Sequence, residues 1–234
     1  MNVKMNGRKT SGKTAVDVLY GRLKERIISG VYEEGFSLRQ EALARDFGTS
    51  RIPVREALFL LEGDGLVEFK PHKGAVVKSL TLEELKELFH LRAVLECDML
   101  RHAIPRMREE DFIKAEAAHQ KYRKISKTGK DHHLLPDLNL EFHMCLYRPS
   151  GLAMSMNMVR SINANTDRYR RFQLGLHGPA KCSYREHAAL LEKCREWDVE
   201  GAVNILEKHI LSLREVMAVS LCKRPDKFLN KKPL

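Results

Sequence analysis

The feature that most restricts the fold of this chain is a pair of short apolar stripes flanking "GTS", residues 48–50. Leu43 and Phe47 precede it, and Val54, Ala57, Leu58 and Leu61 follow it at spacing i, i+3, i+4, i+7. That spacing lines one face of a helix and thereby determines the opposite face too. Helices over 39–46 and 51–63, with their stripes facing, predict helix, tight turn, helix. Arg51 and Arg55 then lie four apart at the exposed start of the second helix, where Thr49 and Ser50 can cap it. Pro53 is tolerated in a first turn, whose amides lack partners anyway. A helix start with free N–H groups and two arginines suits phosphate, and an arginine can also fork onto guanine.

The neighbouring segments complete a small α+β domain over 14–78. Residues 14–29 carry Val18, Leu19, Leu23 and Ile27 at helical spacing and stop at Gly30. After "GDG", the runs "LVEFK" and "GAVVK" read as two strands around a Pro-His-Lys-Gly turn. That turn presents His72 and Lys73 beside Gly74, where backbone can approach a duplex closely.

The pattern changes after "VKSLT", 77 to 81, a joint too short for a floppy linker. Thr81 followed by Glu84 is a capping box opening a long helix that ends before Pro105. Beyond it only helical patterning is present, over about 109–127, 136–147, 150–174, 183–196 and 199–222. A second, all-helical domain of six helices over 79–222 is the natural reading. The fold class is mostly α: three helices plus a β-hairpin, followed by a six-helix bundle.

Composition narrows the setting. No apolar run approaches the roughly 18 residues of a membrane span, and the polar N-terminus does not read as a signal peptide. Cys97, Cys145, Cys182, Cys194 and Cys222 show no paired spacing, which predicts reduced, buried thiols in a cytoplasmic protein. The formal net charge of +10 favours a polyanionic partner. Part of it belongs to basic tails, 1–13 and 223–234, expected to be disordered.

Among the ten histidines, three have a relation worth tracing. His187 and His209 are each eleven residues from Asp198, a candidate cap between two helices. If those helices fold back antiparallel, both imidazoles lie about 16 Å from the turn and level with each other. His143 has Asn139 one turn earlier on its own helix face. Imidazoles gathered in a helical bundle are a common way to hold a divalent metal.

These residues also carry a resemblance. "SRIPVREAL", "LEGDGLV" and "GAVV" resemble the winged helix-turn-helix of the GntR transcriptional regulators, and the helical region resembles the ligand-binding FCD domain of their FadR-like branch. The first likeness implies operator contacts by Ser50, Arg51 and Arg55, with His72, Lys73 and Gly74 at the wing tip. Glu41 stands where the family often has an arginine, so that contact is missing or taken over by Arg39. The second likeness rests on "NLEFH", "REHAALL" and "EKHILSL" and implies a metal set of Asn139, His143, His187 and His209. Asn139 replaces the family's usual aspartate, which implies a weaker or differently selective site. Zinc, nickel and manganese are all compatible with these ligands. Arg92 matches an arginine that helps hold a small carboxylate effector, with an ion pair to Glu96 as the competing role; Asn165 and Arg168 are further effector candidates from spacing.

The resemblance implies a homodimer on a double-stranded, pseudo-palindromic DNA operator, in this family usually a repressor, released by a small organic acid and with no membrane association. Two alternatives stand beside it: a dimeric DNA-binding protein without ligand or metal, and a metal-dependent hydrolase, which lacks an HExxH run.

Overall fold

A computed structural model describes residues 14–128, 131–174 and 180–222; within them, the side chains of residues 132, 167, 168, 170–174 and 180–182 are outside the description. Both predicted tails and the side chains of Arg168 and Cys182 therefore lie outside it. The chain divides into two compact units between Ser79 and Leu80.

In the first unit, helix α1 (Ala15–Ile28) is opened by a reciprocal capping box. Thr14 Oγ1 accepts from the Asp17 amide at 3.1 Å, and Asp17 Oδ2 accepts from the Thr14 amide at 2.9 Å. Leu19, Leu23 and Ile27 face inward while Val18, placed on the same stripe by sequence, is 40% exposed. Helices α2 (Gln40–Asp46) and α3 (Arg51–Gly63) are joined through Gly48, whose φ of 62° requires the left-handed region that glycine enters without strain. Val54, Ala57, Leu58 and Leu61 are all fully buried, sealing α3 onto α1 and α2.

Strands β1 (Val67–Lys70) and β2 (Gly74–Val77) pair antiparallel, with Val67 opposite Val77 and Lys70 opposite Gly74. The segment before α2 lies along the free edge of β2: Leu38 N donates to Ala75 O, and Val77 N to Phe36 O. That pairing removes an exposed sheet edge.

The second unit is helical: α4 (Leu82–Ala103), α5 (Glu109–Thr128), α6 (Leu135–Tyr147), α7 (Ala153–Leu174), α8 (Ala180–Arg195) and α9 (Val199–Cys222). Thr81 caps α4 by accepting from the Glu84 amide, and Pro105 tightens its end into a 3-10 turn. α9 packs along α4 and also meets α7 and α8, while α5 lies between α6 and α8. Phe89, Met99, Leu100, Phe142, Leu206 and Ile210 form the centre of one continuous core.

The turn between α8 and α9 places the histidines. Trp197 takes a left-handed φ of 59°, and Asp198 then accepts from the Gly201 amide at 2.9 Å to start α9. A Cβ on Gly201 would stand 2.2 Å from the Asp198 carboxylate, so glycine is what allows this cap.

Candidate functional site

The first candidate site is the polar face of the first unit. Arg39, Ser50, Arg51, Arg55, His72, Lys73 and Gly74 are all exposed. Ser50 occupies the N-cap position of α3 with extended backbone, but its side chain makes no capping hydrogen bond, contrary to the role the sequence suggested. The absence of that bond leaves the first amides of α3 open to an anion.

Arg51 and Arg55 differ in how they are held. Arg55 extends over the Phe59 ring at 5.3 Å, and Phe59 packs against Phe69 of β1 at 4.9 Å. Arg51 pairs with Glu41 of α2, Nη1 to Oε1 at 2.6 Å. A cation at the positive end of a helix costs about 0.3–1 kcal/mol, which Glu41 offsets. Arg39 ends its extended backbone at the start of α2 without a side-chain cap bond.

The hairpin turn spans Pro71–Lys73, closed by Lys73 N donating to Lys70 O at 3.1 Å. His72 and Gly74 both have positive φ, 61° and 70°, as a short turn with a glycine bulge demands. Ser37 Oγ donates to Lys73 O at 3.3 Å, tying the turn to the segment before α2.

The second candidate site lies inside the helical unit. His143 of α6, His187 of α8 and His209 of α9 form a near-equilateral triangle, with ring centroids 5.0, 5.1 and 5.3 Å apart. One nitrogen from each lies within 4.8 Å of the others, and all three rings are buried. His187 and His209 are level, held so by the α8–α9 turn at Asp198.

Their hydrogen bonds set the tautomers. Burial, then the Glu96 carboxylate beside it, pushes the Tyr147 phenol well up, so it keeps its proton. That proton goes to Glu96 Oε2 at 2.7 Å, leaving the phenol oxygen to accept from His143 Nδ1 at 3.2 Å. His209 Nδ1 lies 2.6 Å from Glu186 Oε2, and this bond draws the Glu186 carboxyl below its ordinary value. With Nδ1 as donor, both rings keep the Nε2 lone pair as their acceptor. His209 Nε2 is buried with no hydrogen-bond partner among the described residues, and so is Asn139 Nδ2.

These atoms fit a divalent cation. Tetrahedral imidazole nitrogens around zinc stand about 3.3 Å apart, so the triad needs to contract by at most about 1.5 Å. Glu186 and Tyr147 orient the rings as the outer partners of metal-bound histidines do. Asn139 is buried one turn before His143 on α6, and its side chain carries an amide oxygen but no charge.

Sequence reasoning missed three residues here, Tyr147, Glu186 and His119. Tyr147 and His143 are an i, i+4 pair and were legible as such. Glu186 is adjacent to His187 in sequence yet serves His209, which only the α8–α9 packing reveals. His119 of α5 is buried, 6.1 Å from the His187 ring, and burial holds it below its ordinary value. Glu96 is foreseen from the sequence as a partner of Arg92, and its bond to Tyr147 adds a second role.

The effector candidates stand differently. Arg92 is buried and its Nε donates to Glu96 Oε1 at 2.7 Å, the competing role named from the sequence. Its Nη1 has no hydrogen-bond partner among the described residues. Asn165 Nδ2 donates to Ser161 O at 3.3 Å along α7. Cys97 and Cys194 are buried, and burial pushes both thiols up to about 12; Cys145 is half-buried and Cys222 exposed, against the expectation that all are buried.

Comparison with known proteins adds independent findings. Residues 15–77 match the model for bacterial regulatory proteins of the gntR family, and residues 87–212 match the FCD domain. The HTH-type transcriptional regulator YdhC of Bacillus subtilis is 28% identical over 193 residues, covering 82% of this chain and 84% of that one. The HTH-type transcriptional repressor RspR of Escherichia coli is 22% identical over 198 residues, covering 84% and 86%. A crystal structure of a GntR family regulator from Pseudomonas syringae aligns at TM-score 0.53 with 31% identity, covering 90% of this chain and 88% of that one.

Proposed function

The chain belongs to the gntR family of bacterial regulatory proteins and carries an FCD domain, and from that premise we propose that it is a repressor whose helical unit senses a small carboxylate together with a divalent cation. It is a DNA-binding transcriptional regulator and not an enzyme. Repression is supported by RspR, named as a repressor. No helix among the described residues is long and apolar enough to cross a membrane, and the cytoplasm, where the operator is, is the proposed location.

In this reading Ser50, Arg51 and Arg55 meet the major groove while His72, Lys73 and Gly74 approach the flanking backbone, with Arg39 on phosphate. A homodimer would present two such faces to the half-sites of a pseudo-palindrome.

The observation that carries the metal reading is the buried triangle of imidazoles with two Nε2 lone pairs set by outer hydrogen bonds. His143, His187 and His209 would hold the cation, with Asn139 as a neutral fourth donor. A bound cation would supply a Lewis-acid anchor for a carboxylate, and Arg92 Nη1 would offer it a second hydrogen bond. Asn165 and Arg168 would add further contacts. With all-neutral donors, zinc or nickel suits the set better than manganese, which favours oxygen ligands. Effector binding alters operator affinity only if the two conformations bind it differently.

A second reading is favoured by one observation: Arg92 already pairs with Glu96, and Asn139 brings no charge. In it the helical unit dimerises the protein without ligand or metal. The two are separated by metal analysis of protein purified without chelator, followed by melting with added zinc, nickel or manganese. The sensing reading expects near-stoichiometric metal and a stabilisation of about 2.7 kcal/mol at a hundredfold excess over Kd. Metal-free protein whose melting no ion shifts, in the natural chain and in His209→Ala alike, would establish the second. Organic acids are then screened for loss of operator binding.

A further inference from the structure

Every cationic group proposed to face DNA is solvent-exposed, and one of them, Arg51, is ion-paired at 2.6 Å to an exposed carboxylate, Glu41. Glu41 is the second residue of α2 and Arg51 the first of α3, so the pair bridges the starts of the two helices across the turn. A negative charge there repels phosphate, so as a contribution to general DNA affinity it is unfavourable. As a solvent-exposed ion pair, with side chains 75% and 65% exposed, it also adds little to stability.

We infer that Glu41 is a specificity-determining residue: it positions the Arg51 guanidinium so that its fork reads a guanine edge instead of closing on phosphate. The inference rests on the proposed DNA contacts of this face. The chemistry follows from the two side chains. A free arginine at a helix start has the whole rotamer range and the nearest phosphates to choose from. Occupying Nη1 with a carboxylate restricts the plane of the guanidinium and leaves its other N–H groups for the two acceptors of guanine, O6 and N7. Water is displaced when a duplex covers the pair, and the ion pair strengthens as the local dielectric falls. Arg55, stacked on Phe59 and without a carboxylate partner among the described residues, is left to phosphate or to a second base.

The test is selection of bound duplexes from a randomised pool by the full chain, followed by affinities for single-base variants of the selected site. It is run on the natural protein, Glu41→Ala, Glu41→Gln, Arg51→Lys and the Glu41→Ala/Arg51→Lys double variant. The natural protein is expected to prefer one G·C pair in each half-site by roughly tenfold, the scale of a good bidentate contact. Glu41→Ala should erase that preference at that pair alone while binding to random duplex stays equal or tightens. Glu41→Gln, which keeps an acceptor, should retain part of it, and the double variant should lose no more than Arg51→Lys alone, since both act through one contact. A motif unchanged in Glu41→Ala overturns this inference and leaves the DNA reading standing. Losses at two different base pairs, adding in the double variant, overturn it too, because Glu41 would then read a base itself. A natural protein that selects no sequence overturns both this inference and the reading beneath it.

Discussion

Replacing Arg92 with methionine removes the cation from a fully buried ion pair and leaves Glu96 without it. Both side chains are 1% exposed, and the pair is joined at 2.7 Å. Removing one partner of a buried pair costs about 3–5 kcal/mol, because the remaining charge stays desolvated. The structure places this case at the low end, since Glu96 keeps the Tyr147 hydroxyl on its other oxygen. Methionine also fills much of the volume beside Phe89, limiting any cavity. A loss of about 3 kcal/mol corresponds to roughly 6–12 °C in Tm for a unit of this size. The single tryptophan, Trp197, belongs to the helical unit, so its fluorescence in EDTA-treated protein reports that unit directly. Arg92→Met/Glu96→Gln should recover most of the loss, because the neutral amide still accepts from Tyr147 and no charge is left buried. A single variant losing less than about 1 kcal/mol, or a double variant no more stable than the single one, would falsify the reasoning that the pair is a charge held in a dry interior.

Four further outcomes follow from other contacts. Arg55→Ala should weaken binding to specific and random duplexes alike and lower the salt slope by about one, measured by fluorescence anisotropy across a salt series; an unchanged slope would take Arg55 off the phosphate backbone. Leu58→Ala, at a fully buried position between α1 and α3, should destabilise the first unit by about 2–5 kcal/mol in hydrogen exchange of its helix amides, and protection as in the natural protein would mean the site relaxes around the deletion. Asp198 is held below its ordinary 3.8 first by the Gly201 amide and then by Lys193. A depressed carboxyl contributes stability that is complete above the unfolded value and is lost as pH falls below it, so the acid sensitivity of α9 should shift in Asp198→Asn, which still caps but does not titrate. Gly201→Ala should lower Tm, because its Cβ collides with that same carboxylate, and equal melting would show that the cap can move aside.

Periodicity placed every helix from α1 to α9 within a few residues, because an apolar stripe at 3.6-residue spacing has one way to be buried. Counting eleven residues either way from Asp198 was enough to set His187 and His209 level, since an antiparallel helix pair inherits its register from its turn. Local pairs such as His143 with Tyr147 and Arg92 with Glu96 were within reach for the same reason: four residues is one turn.

What lay beyond reach were partners on different elements. That Glu186 serves His209 and not its neighbour His187, that Tyr147 connects His143 to Glu96, and that His119 of α5 stands at the edge of the cluster all depend on how neighbouring helices are rotated about their own axes. Glu41 and Arg51 likewise meet only because the turn at Gly48 brings two helix starts together. Whether Ser50 bonds its own helix depended on a rotamer that residue type leaves open. The sequence by itself determined which segments are helices and which faces are buried, because burial of an apolar stripe is a one-dimensional, periodic constraint. The tertiary structure alone decided which charges and imidazoles face each other, because the axial rotation of packed helices is settled by the collective fit of many side chains and by no single pair.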